Sequence, residues 1–250
     1  MSDKIIKQLK DDKEYYGGVG KNYLSNSDIG ALLSNPRDFG VQKDDNINFA
    51  KGRLFHHLIL EPEKVQDWNA VDVSSRNTKK YKEILEESGE PFLLLQKEYD
   101  EITSLSKVMT ANIDFYDMIY AKGNEFEVPS IGEIGGVMWK GKADIVYNDC
   151  LIDIKTTGDI NKFIYSANAY NYDSQAWLYR EFWGKPVFGK PLKFLVIDKS
   201  NGQLGLFNTS AEFIERGAVK VQKAIEVYNQ FFSKDATDDV HQFYRNVELL

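Results

Sequence analysis

Apolar positions three and four residues apart mark helices along most of this chain, and alternating or continuous apolar runs mark strands between residues 124 and 157 and near residue 192. Ser25-Asn26-Ser27-Asp28 offers N-caps ahead of Ile29, Leu32 and Leu33, and Pro36 ends that short helix. Phe49, Leu54, Phe55, Leu58 and Ile59 predict a helix over 49–60 that carries His56 and His57 and closes at Glu61-Pro62. Further helices are expected over 79–87 and 96–120, separated by a turn at Ser88-Gly89-Glu90-Pro91, and over 160–170, 174–183 (with Gly184 as C-cap) and 211–232. Phe126 and Val128 alternate with Glu125 and Glu127, Gly132, Gly135 and Gly136 surround a turn, and Val137-Met138-Trp139 opens another strand. Residues 192–198 read as a buried strand and 204–208 as an edge strand. Residues 1–22, charged and ending in Gly17, Gly18 and Gly20, read as a loosely ordered start, and 23–250 as one domain without repeats or linkers.

The chemistry concentrates in residues 141–157, where two β-rich runs flank Asn148-Asp149, a pair that tolerates the positive φ of a tight hairpin. A two-residue turn sets Tyr147 against Cys150, Val146 against Leu151, Ile145 against Ile152 and Asp144 against Asp153. Alternation then gathers Ala143, Ile145, Tyr147, Cys150, Ile152 and Ile154 on one apolar face and Asp144, Asp153 and Lys155 on the other. Like charges directly opposed are destabilising unless a positive group lies between them. On the hairpin alone, solvent-facing aspartates and a divalent-cation site are equally good readings. Lys155, two positions beyond Asp153 on the same face, favours the cation, because an ammonium there can hold a metal-bound water or neutralise charge developing on a phosphate.

Composition narrows the alternatives. With 250 residues, 42% hydrophobic and 28% charged, the chain can bury a core. Its longest apolar runs, such as Pro91-Phe92-Leu93-Leu94-Leu95, fall far short of a membrane span, and the first residues lack the apolar stretch of a signal peptide, so a cytosolic protein is expected, or a nuclear one if its host has a nucleus. One cysteine, Cys150, excludes a disulfide framework, a CxxC zinc site and an iron–sulfur cluster. A net charge of -7 argues against coating nucleic acid with a basic surface, but leaves room for a local basic groove.

The D…D-x-K pattern of Asp144, Asp153 and Lys155 resembles that of the PDDEXK nucleases, and with its surroundings residues 23–183 resemble the RecE-type exonucleases (exodeoxyribonuclease VIII) of phage and prophage recombination. Ala143-Asp144 and Ile152-Asp153-Ile154-Lys155-Thr156-Thr157 match the core motif. Gly52 through His56 matches the G-x-x-x-H helix, Gln175 through Tyr179 the Q-x-x-x-Y helix, and Leu24 through Pro36 the S-x-S…P opening helix. A lone D…D-x-K arises by chance; four motifs in the same order are specific.

The resemblance implies an α/β restriction-endonuclease-like fold, a central mixed sheet with helices on both faces, and metal-dependent hydrolysis of DNA phosphodiesters. His56, Asp144, Asp153 and the Ile154 carbonyl are its implied ligands to one or two Mg²⁺ ions, with Mn²⁺ able to substitute; Lys155 is the water-positioning residue, and Gln175 and Tyr179 are substrate contacts. One acidic residue of the preceding strand, Glu125 or Glu127, is expected near the metal. His57 reads as structural, Trp139, Trp177 and Trp183 as core, and the Arg76 to Lys82 cluster as a solvated helix start. Implied partners are double-stranded DNA ends, a single-strand annealing protein and further copies of the chain in a ring, with 5′-to-3′ digestion in the cytoplasm of a bacterial host. The alternatives are a structure- or sequence-specific endonuclease on the same core, or a catalytically silent DNA-binding module.

Overall fold

The computed structural model describes residues 2–41, 44–147, 150–183 and 191–246. The chain runs through α1 (Ser2–Gln8), α2 (Asp12–Tyr16), α3 (Asn26–Ser34), α4 (Ile47–Leu60), β1 (Ala70–Val71), α5 (Lys79–Ser88), β2 (Leu94–Leu95), α6 (Gln96–Ala111) and α7 (Ile113–Ile119). It continues through β3 (Glu125–Ile134), β4 (Val137–Val146), β5 (Leu151–Thr157), α8 (Phe163–Ala169), α9 (Tyr172–Trp183), β6 (Leu192–Asp198), β7 (Leu204–Asn208) and α10 (Ala211–Phe231).

The central sheet has the order β3-β4-β5-β6-β7, with β5 and β6 parallel and the other neighbours antiparallel. Both its faces are buried. Phe194 and Val196 of β6 pack with α3, α8, α9 and α10 on one side, and Leu195 and Ile197 pack with α4, α6 and α7 on the other. This is the expected mixed sheet between helical layers. β1 and β2 form a separate parallel pair, beside which Tyr81, Val71 and Leu93 make a small core of their own.

Several expectations need correction. The helix anticipated over 96–120 is two, because Asn112 leaves the helical path and its side chain accepts from Phe115 N at 3.1 Å, starting α7 afresh. The segment 160–170 opens with a 3₁₀ turn before α8. Gly132 lies inside β3, packed under the Phe182 ring, and the turn itself is Gly135-Gly136, both at positive φ between the paired Ile134 and Val137. Gly184 and the Asn148-Asp149 pair lie outside the described residues.

The first residues are not loose. Leu9 and Tyr15 are buried, Lys140 Nζ donates to the Tyr15 carbonyl at 2.5 Å, and Leu24 pairs with β4 through Leu24 N to Met138 O (2.9 Å) and Lys140 N to Leu24 O (2.7 Å). The glycines that suggested a floppy tail instead permit close packing: a Cβ on Gly20 would lie 2.0 Å from the Tyr15 carbonyl oxygen.

Candidate metal centre

The hairpin register holds at its closed end, where Val146 pairs with Leu151 and Ile145 with Ile152. The ladder then stops. Asp144 and Asp153 are not a paired rung, because β4 and β5 diverge and side chains take over the backbone groups left behind. Asp144 Oδ2 accepts from Ile154 N at 2.6 Å, and His56 Nε2 lies 2.9 Å from Ile154 O. Further from the hairpin turn, near the start of β4, Leu24 pairs along the strand at Trp139.

The predicted face assignment also breaks here. Trp139 and Ala143 belong to the core beneath α9 and α10, whereas Ile145, two residues on, belongs to the core beneath α4 and α6. β3 switches in step: Val128 packs with the first core, while Phe126 sits edge-on to Tyr120, whose hydroxyl donates to Ile59 O of α4. The switch falls at Glu127, which has φ +47°, a left-handed conformation rare outside glycine that costs on the order of 1–3 kcal/mol. Its effect is to bring Glu127 and Asp144 together. Their carboxylates lie 3.7 Å and 3.6 Å from His56 Nδ1, and all three residues offer ligand atoms within 4.8 Å of one another. Of the two glutamates, Glu127 joins the cluster and Glu125 is exposed.

Asp153 sits beside this trio. It is 1% exposed, accepts from Gln175 Nε2 at 2.7 Å through Oδ2, and pairs through Oδ1 with the Lys155 ammonium. Gln175 thus orients Asp153, and the Tyr179 hydroxyl, one turn along α9, donates to the Lys142 carbonyl. Both predicted substrate contacts are buried, with those polar groups engaged inside the protein. Lys142, which the motifs did not single out, reaches Asp12 at 2.5 Å and Glu127 at 3.9 Å. Nothing in the pattern around Asp12 or Lys142 signals this, since their contact joins segments 130 residues apart. His57 accepts from Trp68 Nε1 at 2.8 Å and lies 3.9 Å from Glu61. Trp139 is fully buried and Trp177 and Trp183 pack against the core; Lys79, Lys80 and Lys82 stand exposed at the start of α5, the solvated helix start expected, and Arg76 ahead of them pairs with Glu98.

The electrostatics show an excess of buried negative charge. Burial, then the neighbouring Asp144 charge, pushes Asp153 up to about 6, and burial likewise raises Asp144 against the opposing pull of His56 and Lys155. Burial alone would depress His56, yet the Asp144 and Glu127 carboxylates outweigh it and push the imidazole up to about 9. Lys155 follows the same logic, with Asp153 and Asp144 overriding burial to raise its pKa. Carboxylates, an imidazole and a backbone carbonyl converging where positive charge is this strongly favoured suit a hard divalent cation. His56, Glu127, Asp144 and the Ile154 carbonyl could hold it, with Asp153 at the border.

Residues 36–239 match the family described as PDDEXK-like domain of unknown function (DUF3799). The chain belongs to that family. Its fold is similar to a crystal structure from Eubacterium rectale described as "Putative exonuclease", with a TM-score of 0.63 and 15% identity over 96% of each chain. A second solved structure, SSO0001, has a TM-score of 0.40 and 14% identity, covering 92% of this chain and 86% of that one. No curated protein matches the sequence. The mixed sheet flanked by helices is thus that of a PDDEXK nuclease-like fold. Among the described residues, no helix is long and apolar enough to cross a membrane.

Proposed function

We propose that this protein is a divalent-metal-dependent deoxyribonuclease of the RecE type, digesting linear double-stranded DNA 5′ to 3′ in phage-type recombination. The observation that carries the nuclease reading is the convergence of His56, Glu127 and Asp144 beside the Asp153–Lys155 pair, in the gap where β4 and β5 separate. The similarity to the E. rectale structure so named supports the exonuclease choice. Mg²⁺ is the proposed cofactor, with Mn²⁺ as substitute.

Each residue then has a task. His56, Glu127, Asp144, Asp153 and the Ile154 carbonyl would hold the cation, which when bound would polarise the scissile phosphate and acidify a water. Gln175 fixes the Asp153 carboxylate, and Lys155, held protonated by Asp153 and Asp144, stabilises charge developing on the phosphate or orients the attacking water. Tyr179 braces the β4 backbone under the site. A ring of several copies with a basic channel would reconcile processive digestion with a net charge of -7, and an annealing protein would receive the 3′ strands, all in the cytoplasm of a bacterial host.

End-labelled linear duplex and covalently closed circles, incubated with Mg²⁺ or with chelator, test the proposal. Loss of the linear duplex alone, abolished by chelation, is expected. Cutting of the closed circle would make the protein an endonuclease, and inert DNA of both kinds would remove the nuclease reading.

A further inference from the structure

Each lysine at the site leads outward, through one tyrosine, to a second tyrosine in solvent. On the β5 side, Lys155 Nζ lies 5.1 Å from the Tyr172 ring centre, and Tyr172 lies 6.0 Å from Tyr170, which is 67% exposed. On the β4 side, Lys142 Nζ lies 4.8 Å from the Tyr15 ring and 5.8 Å from that of Tyr16, which is also 67% exposed. The inner ring is anchored in both cases: Tyr172 stacks on Phe194 at 5.4 Å, and Tyr15 is buried with its carbonyl held by Lys140. The outer rings are left facing water, Tyr16 one side chain, Lys142, from Glu127, and Tyr170 two side chains, Tyr172 and Lys155, from Asp153.

From this pairing we infer that Tyr16 and Tyr170 are stacking platforms for unpaired nucleobases, one on each wall of the β4–β5 gap. The inference rests on the nuclease reading and narrows it: bases in a duplex have both faces covered, so the strand held at the site has come away from its partner. Charge also favours this chemistry. Buried carboxylates and a net charge of -7 offer phosphates little general attraction, whereas stacking on an aromatic ring needs no charge and tolerates any base.

The full chain in Ca²⁺, titrated with a fluorescent oligothymidine strand and with a blunt duplex of equal length, tests the inference. Tyr16→Ala and Tyr170→Ala should each weaken single-strand binding roughly tenfold, and Tyr16→Phe and Tyr170→Phe should stay within about twofold of wild type, since the ring alone carries the contact. The Ca²⁺-induced rise in thermal midpoint should be the same in all five proteins, because neither tyrosine is a metal ligand. Phe variants as weak as Ala variants would point to a hydroxyl contact and overturn stacking. So would Ala variants that bind the strand like wild type, whatever their effect on duplex binding. A wild-type protein that neither binds nor cleaves any DNA would fail the nuclease reading itself, a result distinct from these.

Discussion

Asp144 accepts a hydrogen bond from the backbone of Ile154, the residue whose carbonyl faces His56. One peptide segment of β5 is therefore held by an acid from the neighbouring strand and an imidazole from α4, and the separation of β4 from β5 is stabilised by the same side chains that make the candidate metal centre. The site is part of the sheet's hydrogen-bond accounting rather than an attachment to it.

The two glutamates of β3 can be told apart. Glu127→Gln should reduce or abolish the rise in thermal midpoint that Mg²⁺ or Mn²⁺ induces, because a metal that binds only the folded state stabilises it through its ligands. Glu125→Gln, altering an exposed side chain, should leave the shift as in wild type. Equal shifts in both variants, measured by scanning fluorimetry, would place the ion elsewhere.

Lys155→Ala separates chemistry from metal binding. An ammonium cannot coordinate a cation, so Ca²⁺ binding by calorimetry should persist or tighten once this positive neighbour is gone. Hydrolysis of linear DNA should fall about 100-fold or more. Near-normal cleavage would reduce Lys155 to a counter-charge for Asp153.

In chelator, the pH dependence has a defined sign. His56, raised to about 9, contributes stability that is complete below its ordinary 6.5 and is lost as pH rises through 9. Asp153, raised to about 6, opposes folding increasingly as pH rises from its ordinary 3.8 through 6. The stability advantage of wild type over His56→Gln should accordingly shrink between pH 6.5 and 9. Divalent metal should reverse the trend, since its ligands must be deprotonated, and its stabilising effect should be larger at pH 8 than at pH 6. A pH-independent difference in urea-melt midpoints would mean that His56 carries no extra proton in the metal-free protein.

Away from the site, Gly217→Ala should destabilise the fold by roughly 1–3 kcal/mol or more. Its Cβ would lie 2.0 Å from the Asp173 carbonyl oxygen, backbone that cannot move without parting α9 from α10. Denaturant unfolding gives the answer directly, and a midpoint equal to wild type would show that these helices have slack.

How much of this was legible in the sequence differs by feature. The Ile145–Ile152 register follows from side-chain alternation and a short turn, both local. His56 stood out through Gly52 and the downstream hairpin. The face switch at Glu127 and Asp144 did not, because a left-handed glutamate has no signature in residue type and only the crossing strands impose it. The same holds for the break at Asn112, where an ordinary helix pattern continues across a residue that caps the next helix. Lys142 and Tyr16 were missed for a third reason: their importance comes from a docked N-terminal segment that strand and helix periodicity cannot place.

That docking has a temporal side. Tyr15 emerges from the ribosome well before its partner Lys140, 125 residues later, which at typical synthesis rates is a delay on the order of ten seconds. Until then, α2 has no wall to lean on and Leu24 no strand to join. The nascent chain must therefore keep α1 and α2 waiting, and the candidate metal centre cannot close until β4 and β5 have both been made.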